Sequence, residues 1–224
     1  MAHPASLALA VGFLGLLALR HRDLRQALPL LERAVGVCQD VDLRNIFPWM
    51  AASLSVAYIL GGRGIDAVPL LTQALEMEQT LPTELIVYQV LYSLPLGEAH
   101  LLAGRLEEAQ VRAERALGLT RAHQERGHEA YALRLLGDIA VRREPPEVEA
   151  AEGHYRQALA LADELGMRPL QAHCHRGLGI LYAATGQQEQ ARTALSTAIA
   201  LYRDMEMTFW LPQTEAALAQ VEGR

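Results

Sequence analysis

Small and apolar residues recur along this chain at two nested spacings. The short one is Ala-x3-Φ-x2-Ala, found at Ala27-Leu31-Ala34, Ala67-Leu71-Ala74, Ala109-Ala113-Ala116, Ala151-Tyr155-Ala158 and Ala191-Leu195-Ala198. Steps of four and three place all three residues on one helix face. The long spacing separates the first alanines by 40, 42, 42 and 40 residues. A second motif keeps step with it: Leu14-Gly15, Leu96-Gly97, Leu136-Gly137 and Leu178-Gly179, with Leu54-Ser55 in the second period. Each period therefore holds two helices, whose small residues let them approach closely. The pattern predicts helical hairpins near 4–42, 47–82, 84–124, 128–167 and 169–205, and a closing helix near 209–221.

Turn residues punctuate the same scheme. Gly61-Gly62-Arg63-Gly64, Ala103-Gly104-Arg105 and Thr185-Gly186-Gln187 read as tight turns inside hairpins. In the fourth hairpin the turn becomes Arg142-Arg143-Glu144-Pro145-Pro146, two residues longer. Gly127 and Gly166 are expected as helix C-caps, and Pro48 and Pro169 at helix starts. Pro29 and Pro69 fall early in second helices and are expected to bend them, whereas Pro95 falls inside a first helix. The segment Ala5 to Leu19 is almost wholly apolar. It is shorter than the roughly 20 residues of a membrane span, and no Lys or Arg precedes it as in a signal peptide. It reads as the first helix of the first hairpin, apolar enough to need a cover, either from a longer parent protein or from a second copy in a homodimer.

Composition adds boundaries. Aromatic residues are only 5% against 51% hydrophobic, which suits close helix packing better than sheets. A net charge of −6 argues against nucleic-acid binding, which wants a clustered basic surface. The basic residues are all arginine, so P-loop and Schiff-base lysine chemistry are closed to the chain. Two cysteines, Cys38 and Cys174, make no disulfide framework and suit a cytoplasmic setting.

Candidate catalytic groups do not assemble. In His173-Cys174-His175 the two histidines leave a helix about 200° apart and cannot share one ion, so no metal site is expected. The Gly61–Gly64 turn lacks the Lys-Ser/Thr of a phosphate loop. Glu107, Glu108, Glu147, Glu149 and Glu152 open helices, where carboxylates complement the dipole. No serine lies in a nucleophile motif. The expectation is a non-enzyme without cofactor.

The stretch Gln171 to Tyr202 resembles the tetratricopeptide repeat pattern W-x2-L-G-x2-Y…A-x3-F. His175 stands in the Trp place, followed by Leu178, Gly179, Tyr182, Ala191 and, in the Phe place, Leu195. The run from Arg168 to Gln220 is similar to the C-terminal tetratricopeptide arms of bacterial signalling ATPases, above all those joined to adenylate/guanylate cyclase domains, with LuxR-type, MalT-like regulators as wider relatives. That resemblance implies an all-α, right-handed α-solenoid over 1–224 that serves as a regulatory or partner-binding arm. It also implies a concave groove lined by the first helix of each hairpin. In register these positions are Trp49, Ala52, Val56 and Ile59; Leu91, Leu94, Glu98 and Leu101; Tyr131, Arg134, Asp138 and Val141; and His173, Arg176, Ile180 and Ala183. Stacked Arg134 and Arg176 suggest a grip on an acidic peptide, with Asp138 placed to neutralise Arg134. The expected site is Trp49, Glu98, Tyr131, Arg134, Asp138, His173 and Arg176, for a protein or peptide partner and neither nucleic acid nor membrane. A small-ligand sensor arm and a dimerising scaffold are the alternatives.

Overall fold

The computed structural model describes residues 3–21, 23–80 and 86–223; the hand-over from the second hairpin to the third lies outside them. Among the described residues there are eleven α-helices and no strand: α1 (Pro4–Arg20), α2 (Leu24–Asp40), α3 (Phe47–Leu60), α4 (Gly64–Thr80), α5 (Ile86–Leu102), α6 (Leu106–Ala122), α7 (Arg126–Arg142), α8 (Val148–Glu164), α9 (Arg168–Ala184), α10 (Gln188–Asp204) and α11 (Leu211–Glu222). They pack as consecutive hairpins. Nine of the eleven are 17 residues long. Two such helices with two three-residue turns account for the 40-residue period. The five-residue link between α7 and α8 supplies the two extra residues of the fourth.

Seven of the helices stop where the backbone turns left-handed. Gly62, Gly104 and Gly186 do this after α3, α5 and α9, with φ of 77°, 76° and 76°. After second helices the same turn falls on Asp42, Gln124, Gly166 and Glu206. The C-cap expected at Gly127 is therefore corrected: Gly127 lies inside α7, and Gln124, at φ 58°, ends α6. An αL cap returns two N–H groups to the last turn, as in Glu125 N–H to Thr120 C=O at 2.8 Å.

The chain forms two compact units, Met1–Arg115 and Ala116–Arg224. In the first, α1 packs on α2, and α3 on α2, α4 and α5. Every residue of α3 from Phe47 to Ala57 except Trp49 is buried. In the second, α7 pairs with α8, α9 with α8 and α10, and α11 closes on α10. All fifteen Ala-x3-Φ-x2-Ala residues are buried, at 3% exposure or less. Burial of a leucine such as Leu31 or Leu195 contributes roughly 1.5–3 kcal/mol. The paired Leu is buried at Leu54, Leu96, Leu136 and Leu178 but 57% exposed at Leu14. The core role implied for Leu14 is thus corrected: no described residue covers that face of α1. The closing helix also begins later than expected, at Leu211, with Phe209 and Trp210 in the turn before it.

Candidate partner-binding surface

In the second unit the positions expected to line a groove are half-buried. Along the middle of α7 the half-buried positions are Tyr131, Arg134, Asp138 and Val141, with buried residues between them. On α9 His173, Arg176, Ile180 and Ala183 are half-buried in the same way. In the first unit the register does not make an open face. Ala52, Val56 and Leu101 are buried at 0%, 1% and 4% exposure, which corrects their groove role; the flanking helices enclose α3 and the end of α5. The side chain of Leu91 lies outside the described ones. Trp49 and Glu98 remain half-buried on α3 and α5, and Trp49 meets Phe13 edge-on with ring centroids 5.2 Å apart. The structure thus brings together five of the seven expected site residues, on α7 and α9, and holds Trp49 and Glu98 in the other unit.

The two arginines of the α7–α9 stripe differ in state. Arg134 forms an ion pair with Asp138 four residues on. Asp138 is fixed from its other side by Tyr155, whose hydroxyl donates to Oδ1 at 2.7 Å. Tyr155 is buried between two helices that lack a Cβ where it lies. A methyl at Gly137 would stand 2.8 Å from the ring, and one at Gly177 would stand 2.5 Å from it. Burial and the Asp138 carboxylate push the Tyr155 phenol well above its ordinary range, so it stays a donor.

Arg176 has no such partner. Among the described residues no carboxylate lies within ion-pair distance of it, and its buried Nε has no acceptor. Its guanidinium lies 5.0 Å over the Trp210 ring, and Nη2 makes one long bond of 3.4 Å to Gln213 Oε1. Trp210 also meets His173 edge-on at 5.1 Å, and His173 Nδ1 is hydrogen-bonded to the Tyr202 hydroxyl at 2.7 Å. Burial raises the Tyr202 phenol, while Arg176 and Arg134 pull it down and Asp138 pushes it up. Trp210 and Gln213 lie beside Arg176, and the fully buried Tyr202 holds His173 from within; the sequence pattern names none of the three. A register confined to first helices cannot name residues from α10 and the turn before α11. The aromatic cluster in FWLP was the available signal.

Other candidates resolve as structure. His175 is half-buried, and burial lowers its pKa. Cys38 and Cys174 are free and buried, with thiols pushed up to about 11 and about 12 by desolvation, which keeps them unreactive. Tyr182 fills its expected place but also donates to Glu152 Oε1 of α8 at 2.7 Å. Tyr58, at the same register, donates to Glu32 of α2 at 3.0 Å. Among the described residues no group of three or more His, Cys, Asp or Glu is placed to hold a metal ion, and no helix is long and apolar enough to cross a membrane.

Residues 147–204, from the start of α8 to the end of α10, match the tetratricopeptide repeat family. No curated protein sequence matches the chain. Among solved structures it is similar to BtubC from P. vanneervenii, with TM-score 0.61 and 17% identity, over 89% of each chain. It is also similar to a kinesin light chain of nearly identical tetratricopeptide-like repeats from Podosopora anserina, with TM-score 0.51 and 20% identity, over 92% of this chain and 99% of that one. At such identities the likeness shows the fold alone. The chain is an all-α protein of consecutive helical hairpins that, from α8 to α10, is similar to tetratricopeptide repeats.

Proposed function

We propose that the chain is a non-catalytic interaction module that takes an acidic peptide or domain edge along the α7–α9 stripe. Tetratricopeptide repeats generally mediate protein–protein contact, which supports the class of function. One observation carries the specific reading: Arg176 is a half-buried cation, seated on Trp210, with no carboxylate beside it among the described residues and an unsatisfied N–H. A buried donor without a partner is costly, so a partner's carboxylate gains a charge-assisted bond there at little reorganisation cost. Arg134, neutralised by Asp138, positions the stripe rather than gripping the anion. Tyr131 and His173 offer flat contacts beside it, and Trp49 and Glu98 are assigned no part in this anion grip. The resemblance of Arg168–Gln220 to the arms of bacterial signalling ATPases supports a regulatory role for such binding.

Selection from a random peptide library, followed by calorimetric titration, tests this reading. Peptides rich in Asp or Glu are expected, with affinity that falls as salt rises. Arg176→Gln should weaken them at least 10-fold and Arg134→Gln much less. Peptides without acidic residues, or equal binding by Arg176→Gln, would refute it.

A further inference from the structure

The exposed face of α1 carries a second, separate surface. Its inner face is spent within the unit: Ala8, Val11, Gly12, Gly15, Ala18 and Leu19 are buried against α2 and α3. Outward, Leu7 is half-buried and Ala10, Leu14 and Leu17 are exposed, the last two at 57% and 56%. These four follow one another at steps of three, four and three, the seam spacing by which one helix packs along another. Phe13, 54% exposed, flanks the seam and carries it to Trp49. At Leu14's register the four other hairpins bury their leucine, so this face has the shape of one that receives a helix.

The seam itself indicates its occupant. Between Pro4 and Leu19 there is no Asp, Glu, Lys or Arg, so the face offers a charged partner nothing to recognise and a second copy nothing to repel. It is also self-complementary when reversed. About a two-fold axis level with Gly12, Leu7 meets Leu17 of the second copy and Ala10 meets Leu14. Each small or half-covered position faces a large one. Reversal also sets the two helix dipoles antiparallel, the favourable arrangement. We propose that α1 pairs antiparallel with α1 of a second copy, making the protein a two-fold homodimer through Leu7, Ala10, Leu14 and Leu17.

Sedimentation equilibrium of the whole chain, from about 1 to about 200 µM, tests this directly. The expected result is a concentration-dependent dimer that Leu14→Glu/Leu17→Glu dissociates at least 100-fold more readily, with helix content by circular dichroism unchanged. Ala10→Leu, which overfills the facing position, should weaken it too. Register is read by cross-linking with a short bismaleimide, for which the buried thiols of Cys38 and Cys174 are unreactive. Phe13→Cys, near the axis, should link, whereas Leu17→Cys residues lie about 15 Å apart along the helices and should not. A monomer throughout the range, a dimer indifferent to Leu14→Glu/Leu17→Glu, or efficient linking by Leu17→Cys would each overturn the proposal.

Discussion

Tyr155 shows how much one side chain can organise. Its ring occupies the space left by Gly137 and Gly177, and its hydroxyl fixes Asp138, which in turn fixes Arg134. Gly177→Ala would push a methyl into the ring and should destabilise the fold by about 1–3 kcal/mol in urea denaturation. In a double-mutant cycle with Tyr155→Leu, which vacates that space, the two losses should fall well short of additive. Backbone strain gives the opposite prediction at Gln124 and Glu206, which hold φ of 58° and 55° where glycine is at ease. Gln124→Gly and Glu206→Gly should each stabilise by up to about 1 kcal/mol, read from the denaturation midpoint.

At the scale of elements, uniform 17-residue helices coexist with internal prolines. Pro95 lies in the middle of α5, and Pro29 and Pro69 lie at the sixth positions of α2 and α4. Each removes one intrahelical hydrogen bond. Pro95→Ala restores that N–H and should raise stability by about 1–2 kcal/mol once the freer unfolded chain is counted. The repeat itself is legible in the sequence. Alanines at a fixed period leave one arrangement in which five Ala-x3-Φ-x2-Ala faces are all buried, and the structure buries every one. The longer α7–α8 link was equally plain from Arg142 to Pro146. Three things were not. Leu14 carries the same local pattern as Leu178, and only its neighbours in space make one a surface and the other core. Ala52 and Val56 hold groove register, but sequence periodicity cannot say that surrounding helices cover them. Arg176 was named together with Arg134, and their different states depend on Asp138, Tyr155 and Trp210 lying where they do.

For the whole molecule, one buried and two half-buried imidazoles contribute to the response to acid. His100, His154 and His175, one in the first unit and two in the second, are each held below their ordinary value, chiefly by burial. The unfolded chain therefore binds protons first as pH falls below about 6.5, and stability fully present above that value declines on acidification. Melting temperature should drop between neutral pH and mildly acidic pH, and His100→Leu should flatten part of that drop. A profile unchanged by the substitution would place the acid response on carboxylates instead. The position of the two tryptophans has a practical consequence at this same scale. Trp49 rests on Phe13, beside the α1 seam, and Trp210 lies under Arg176, beside the acidic-partner surface. With only these two indoles in the chain, each proposed surface carries its own intrinsic fluorophore. Replacing either by phenylalanine leaves emission from one site alone, so dilution and peptide titration can be followed separately in one unlabelled protein.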